Sequence, residues 1–177
     1  MPSTIIVIGI IAGTIFYWAI SAQRRLVVLD ENIKNAMNQI GVQLSCCFDV
    51  LTALLNLAKG YVGHESETLI ETIKSGRSVI TAKSTPEDVL RQEDIIIEAL
   101  GRIAALSEQY PELKANSHYI KALDAVNTYE NMLRTSRLIY NNSVNKLTRE
   151  IRMLPVSIIA PLMGFSGRNY VEEHALT

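Results

Sequence analysis

From Leu26 onward, apolar residues recur at steps of three and four, as Leu29, Ile33, Met37, Ile40, Leu44, Phe48, Leu51, Leu55, Ala58 and Val62. That spacing marks one face of a single long amphipathic helix. Immediately before it, Thr4 to Ala22 runs 19 residues without a charge. As a helix this run spans roughly 28 Å, close to the hydrocarbon thickness of a bilayer. The amphipathic stripe begins almost where the uncharged run ends, so the two are expected to form one continuous rod.

Three further helices follow. Thr68-x-x-Glu71 has the form of a capping box ahead of Leu69, Ile73, Val79 and Ile80, which predicts a second helix fading near Lys83. In STPED, Thr85 suits an N-cap, Pro86 the first helical position, and Glu87 and Asp88 the first turn, predicting a third helix to about Gln109. YPELKANS, residues 110–117, interrupts the pattern and offers Asn116 or Ser117 as the next cap. A fourth helix then runs to Leu154 with Tyr119, Leu123, Val126, Leu133, Tyr140, Val144, Leu147 and Ile151 along one side. Short connections favour antiparallel neighbours. The first helix therefore leaves the anchor and the fourth returns toward it. The expected architecture is all-α: an N-terminus of residues 1–3, a transmembrane helix over 4–22, a bundle of about four helices over 26–154, and an apolar tail over 155–177.

Charge sharpens the first segment. Tyr17 and Trp18 stand near the end of the uncharged run, where amphipathic rings favour the headgroup level, and Arg24 and Arg25 follow as a stop. Met1 to Ser3 carry no Lys or Arg and Ala19-x-Ser21 is a poor cleavage match, so a retained anchor is expected rather than a cleaved signal peptide. With positive charge only on the C-terminal flank, the N-terminus is expected outside and the bulk of the chain in the cytoplasm of a single-pass cell-membrane protein. Over the whole chain 17 Lys and Arg meet 18 Asp and Glu. No field or dense basic run points to a nucleic-acid partner. Nine glycines, five prolines and few aromatics fit helices better than a sandwich or barrel.

The run VLDENIKNAMNQIGVQLSCCFDVLTALLNLAKGYVGHESETL, residues 28–69, resembles the signature of LemA family proteins. Three later blocks agree: ALGRIAALSEQYPELKAN, TYENMLRTSRLIYNNSVNKLTREIRMLP and IIAPLMGFSGRNYVEE. The likeness covers nearly the whole chain and is closest to the Gram-positive-type branch. It implies a short extracytoplasmic N-terminus, one span and a cytoplasmic helical bundle. It also implies work beside other membrane proteins, membrane metalloproteases among them, with no defined mechanism.

Chemistry-bearing residues are sparse. Cys46 and Cys47 are adjacent, so on a helix their side chains diverge by about 100° and cannot face one ligand. Cys47 is expected at the shoulder of the apolar stripe and Cys46 on the far side as a surface thiol; the family usually has polar or basic residues here. HESET, residues 64–68, has Thr68 where a zinc-protease motif needs its second histidine. No cofactor and no catalytic group is expected. Gly60, Gly63 and His64 are read as a helix junction.

The fourth helix has Glu130 and Arg137 on its apolar face, with Asn131 and Arg134 close by. They form either an ion network fixing helix register or a polar groove for a partner, Glu130 and Arg134 being at pairing distance and Asp49 and Glu31 candidate cross-helix partners. In the tail, Ile158, Ile159, Leu162, Met163 and Phe165 are too few and too interrupted by proline to cross a bilayer. They must pack on the bundle, lie in the membrane interface, or dock on a partner. Gly9 and Gly13 have the spacing that lets a second copy approach, so a homo-oligomer is compatible with the span. The functional expectation is a membrane-anchored, non-catalytic scaffold or adaptor touching the lipid bilayer and other membrane proteins; the alternative is a membrane-shaping, self-assembling protein.

Overall fold

A computed structural model describes residues 2–62 and 64–172, with side chains at all of these except 2–5, 62 and 64–66. One helix, α1 (Pro2–Val62), runs unbroken through the uncharged segment and the amphipathic stripe. At 61 residues it is about 90 Å long. It is followed by α2 (His64–Gly76), α3 (Pro86–Gln109), the single turn α4 (Pro111–Lys114), α5 (Ser117–Arg152), α6 (Val156–Ile159) and a 3-10 turn (Pro161–Met163). The chain is all-α, with no strand among the described residues.

The core is organised around α1, with α5 packed along its length and α2 and α3 packed on it beside α5. Being covered from two directions broadens its buried face. Ala36, Cys47 and Leu54 are buried beside the expected Ile33, Met37, Ile40, Leu44, Phe48, Leu51 and Leu55. Facing positions on α1 and α5 rise on one helix as they fall on the other. Arg25 meets Glu150 near one end, while Leu57 and His118 line one groove at the opposite end. The pairing is antiparallel without a register slip, so α5 ends level with the Arg24 and Arg25 turn.

The third helix starts as its sequence requires. The Thr85 Oγ1 accepts the Asp88 N–H at 3.2 Å, and Asp88 Oδ2 accepts the Thr85 N–H at 2.9 Å. This reciprocal box satisfies two backbone donors that the first turn leaves without helical partners. Asn116 caps α5 by accepting the His118 N–H at 2.8 Å.

The second helix departs from expectation. It begins at His64, so Thr68 is no cap but lies inside α2, where its carbonyl accepts the Thr72 hydroxyl at 2.9 Å. It ends at Gly76, not near Lys83. Val79 is 73% exposed while Ile80 is 6% exposed, an alternation of outward and inward side chains that belongs to an extended strap. Three contacts hold this strap. Buried Gln92 accepts the Ser78 N–H at 2.8 Å and donates to the Gly76 carbonyl at 3.0 Å. Arg77 pairs with Asp49 at 2.7 Å and stands over the Phe48 ring. The Ile80 carbonyl lies so close to Gly41 that a Cβ there would collide with it. Gly41 is therefore the position that lets the strap cross α1.

Candidate functional site

Residues 6–17 of α1 are exposed all round. Ile6, Val7, Ile8, Ile10 and Ile11, on successive sides of the helix, are all exposed. A helix apolar on every side needs an apolar medium all round it. By length and composition this is the one described helix able to cross a membrane, and as such it is suited to serve as an anchor. Tyr17 is exposed, whereas Trp18 is half-buried against the bundle core. Arg24 is exposed, and Arg25 Nη1 lies 3.0 Å from Glu150 Oε1 across to α5.

Because α5 stops at Arg152, the residues beyond it close this end of the bundle. After the turn at Pro155, Val156 and Ala160 enter the core, with Ile159 and Phe165 partly buried against it. On the opposite side, Leu154, Ile158 and Leu162 are 79%, 64% and 83% exposed. Met163 is half-buried. The expected tail residues thus divide: Ile159, Met163 and Phe165 turn toward protein, while Ile158 and Leu162 form an apolar crest beside the foot of the exposed segment.

Gly164, at φ +79°, reverses the chain. Residues 166–172 then run in extended form back along α5. Arg168 pairs with Asp30 of α1 at 2.7 Å. The Tyr140 hydroxyl donates to the Asn169 carbonyl at 3.1 Å. Asn141 both accepts the Val171 N–H and donates to the Val171 carbonyl, each at 2.9 Å. Burial pushes the Asp30 carboxyl upward, but hydrogen bonds and charge from Lys34 and Arg168 outweigh it and hold its pKa below the usual value.

Of the four polar candidates on α5, Glu130 and Arg137 turn inward and Asn131 and Arg134 are exposed. Arg137 Nη1 meets Glu93 of α3 at 3.2 Å, with 12% and 6% of the two side chains exposed. The expected cross-helix partners on α1 are engaged elsewhere, Asp49 with Arg77 and Glu31 with Lys34. Geometry explains this: the face of α5 carrying Arg137 turns toward α3 as well as α1. Burial raises the Glu130 carboxyl above its ordinary pKa.

Cys47 is fully buried and Cys46 half-buried, so the surface position expected for Cys46 is partly covered. Burial, followed by the negative charge of Glu130, Cys46 and Glu93, pushes the Cys47 thiol up to about 12. It is a protonated core side chain at neutral pH, and a poor nucleophile. HESET opens α2, with the His64 side chain outside the described residues, as are Gly63 and His174. Among the described residues, no three His, Cys, Asp or Glu form a group able to hold a metal ion. Gly9 and Gly13 are exposed and face open space.

Two surface grooves lie between α1 and α5. One, of about 650 Å³, is lined by Ser21, Arg24, Arg25, Val28, Leu29, Lys146, Arg149, Glu150 and Met153 at the anchor end. The other, of about 630 Å³, lies at the far end, where Val50, Ala53 and Leu57 face Ala122 and Ala125 beside His118 and Lys121.

Glu93, Gln92, Asn141 and Arg168 escaped the sequence reading. Glu93 was findable, since it falls between Val89 and Ile96 on the apolar face of α3. Asn141 carries no such signal because its partner Val171 lies in a segment without periodicity, and Arg168 lies in that segment itself.

No curated protein matches the chain. The LemA family matches it over residues 36–176, the stretch that holds most of the bundle, the closing turn and the returning segment. Residues 36–62 of α1 and the whole of α5 fall in this frame, and the chain belongs to the LemA family.

Proposed function

We propose that this LemA family protein is a membrane-anchored, non-catalytic scaffold, held by residues 4–22 with the bundle on the cytoplasmic side, that binds other membrane proteins. The observation that carries this reading is the continuity of α1, in which one helix is both the exposed apolar segment and the central wall of the bundle. Such a rod fixes the bundle at a set height and orientation above a bilayer. The far groove, with alanines on both walls, has the small-residue lining into which a partner helix packs closely.

Crosslinking of the full chain in intact cells, followed by mass spectrometry of what co-purifies in detergent, tests this reading. Membrane proteins crosslinked near Ala53 and Ala122 support it. Turnover of a substrate by the purified protein, with no partner recovered, contradicts it. The second reading, membrane shaping by a self-assembling chain, is favoured by the crest of Leu154, Ile158 and Leu162. It requires vesicle deformation by the purified protein, and that deformation must disappear on deletion of residues 156–165.

A further inference from the structure

We infer that the groove between α1 and α5 at the anchor end is a binding site for the phosphate of an anionic phospholipid headgroup. Arg24, Arg25, Lys146 and Arg149 converge on it, and Glu150 is the only carboxylate in its lining. Arg152 extends the same surface, entering an adjoining cavity of about 680 Å³ with Arg149 and Arg168. Of the chain's 17 Lys and Arg, Arg24, Arg25, Lys146, Arg149, Arg152 and Arg168 thus lie together at one end of one helix pair. Among the described residues, Arg24, Lys146, Arg149 and Arg152 have no ion-pair partner, and Arg25 is 73% exposed in its pair with Glu150. Their charge is available to a ligand.

Height selects the ligand. The groove lining on α1 runs from Ser21 to Leu29, so it begins at the last turn of the uncharged run and ends about 10 Å beyond it. That interval is the headgroup layer of a bilayer and comparable to a Debye length. Val28, Leu29 and Met153 give the groove an apolar wall, suited to the glycerol backbone that follows a headgroup phosphate. Exposed Leu154, Ile158 and Leu162 follow Met153 of the groove in the chain, so cationic and apolar surfaces meet the same leaflet. Cations near α5's C-terminus also complement the helix dipole, but Arg24 and Arg25 on α1 have no such role there. This inference rests on the anchored reading.

Native mass spectrometry of the full chain released from detergent with equal phosphatidylglycerol and phosphatidylcholine tests it. The protein should retain phosphatidylglycerol preferentially. At roughly fivefold per basic side chain, Lys146→Gln with Arg149→Gln should weaken that preference about 25-fold, while Lys114→Gln with Lys121→Gln at the far end should not change it. Circular dichroism establishes that each variant is folded. Equal retention of the two lipids, or a preference untouched by the Lys146 and Arg149 changes, overturns the inference. So does competition by millimolar inorganic phosphate as effective as that by lipid. Flotation of the wild type with neutral vesicles separates the two readings: a protein that floats without headgroup preference refutes the site alone, and one that does not float refutes the anchor.

Discussion

The carboxamide of Asn141 grips the backbone of Val171 at both ends, accepting its N–H and donating to its carbonyl, each at 2.9 Å. Gln92 does the same for the strap between α2 and α3, through the Ser78 N–H and the Gly76 carbonyl. In both places a helix side chain supplies the hydrogen bonds that a non-helical segment lacks. Backbone polar groups taken from water need such partners. Asn141→Ala should destabilise the fold by about 1 to 3 kcal/mol and abolish protection of the Val171 amide in hydrogen exchange. Asn141→Asp keeps the acceptor and loses the donor, so it should protect that amide better than alanine does.

Arg137 and Glu93 join α5 to α3 with both side chains nearly enclosed. Removing one partner leaves the other charge in the core. Arg137→Met or Glu93→Leu should each cost about 3 to 5 kcal/mol, whereas the two changes together should recover most of that loss. Urea unfolding of the four proteins as a double-mutant cycle measures the coupling. A loss in the double variant equal to the sum of the two single losses would show that the two side chains are not coupled.

Gly41 admits the Ile80 carbonyl where any Cβ would strike backbone. Gly41→Ala, which raises helix propensity in isolation, should nevertheless destabilise the protein by about 1 to 3 kcal/mol by forcing the strap away from α1. Hydrogen exchange should quicken at Ser78, whose N–H rests on Gln92. A more stable Gly41→Ala protein would contradict this packing.

Alkaline stability reports on the core around Cys47. Its folded pKa is raised from 9.0 to about 12, so the neutral thiol favours the fold. The sign follows: this contribution is complete below pH 9 and is lost as pH rises toward 12, about 4 kcal/mol in total. The stability difference between wild type and Cys47→Ala should therefore shift toward the variant across that window. A difference independent of pH would place the thiol near solvent. At neutral pH, thiol reagents should modify Cys46 before Cys47.

Periodicity carried the helices whose burial is one-sided and regular. The α1 stripe and the face of α5 were legible because three-and-four spacing is the imprint of packing against a neighbour. The Thr85 box was legible because capping is a local chemistry. The strap was misread because Val79 and Ile80 are apolar neighbours that satisfy a helical pattern as well as an extended one, and only Gln92 and Gly41, distant in sequence, decide between them. On α5, Glu130 and Arg137 were visible as charges on an apolar face, but the identity of Glu93 as partner depends on how α3 is seated. The tail's division into buried Val156 and Ala160 and exposed Leu154, Ile158 and Leu162 follows from the end of α5, which sequence alone places only approximately.

The central claim is that one unbroken helix carries the bundle from the bilayer into the cytoplasm. Single cysteines placed at Ser3 and at Lys83, in a Cys46→Ser, Cys47→Ala background, can be labelled with a membrane-impermeant maleimide in intact and in opened cells. The account predicts that both proteins stay with carbonate-washed membranes, that Ser3→Cys reacts from outside, and that Lys83→Cys reacts only after opening. Recovery of the bundle in the soluble fraction without its first residues, or labelling of Lys83→Cys in intact cells, would contradict it.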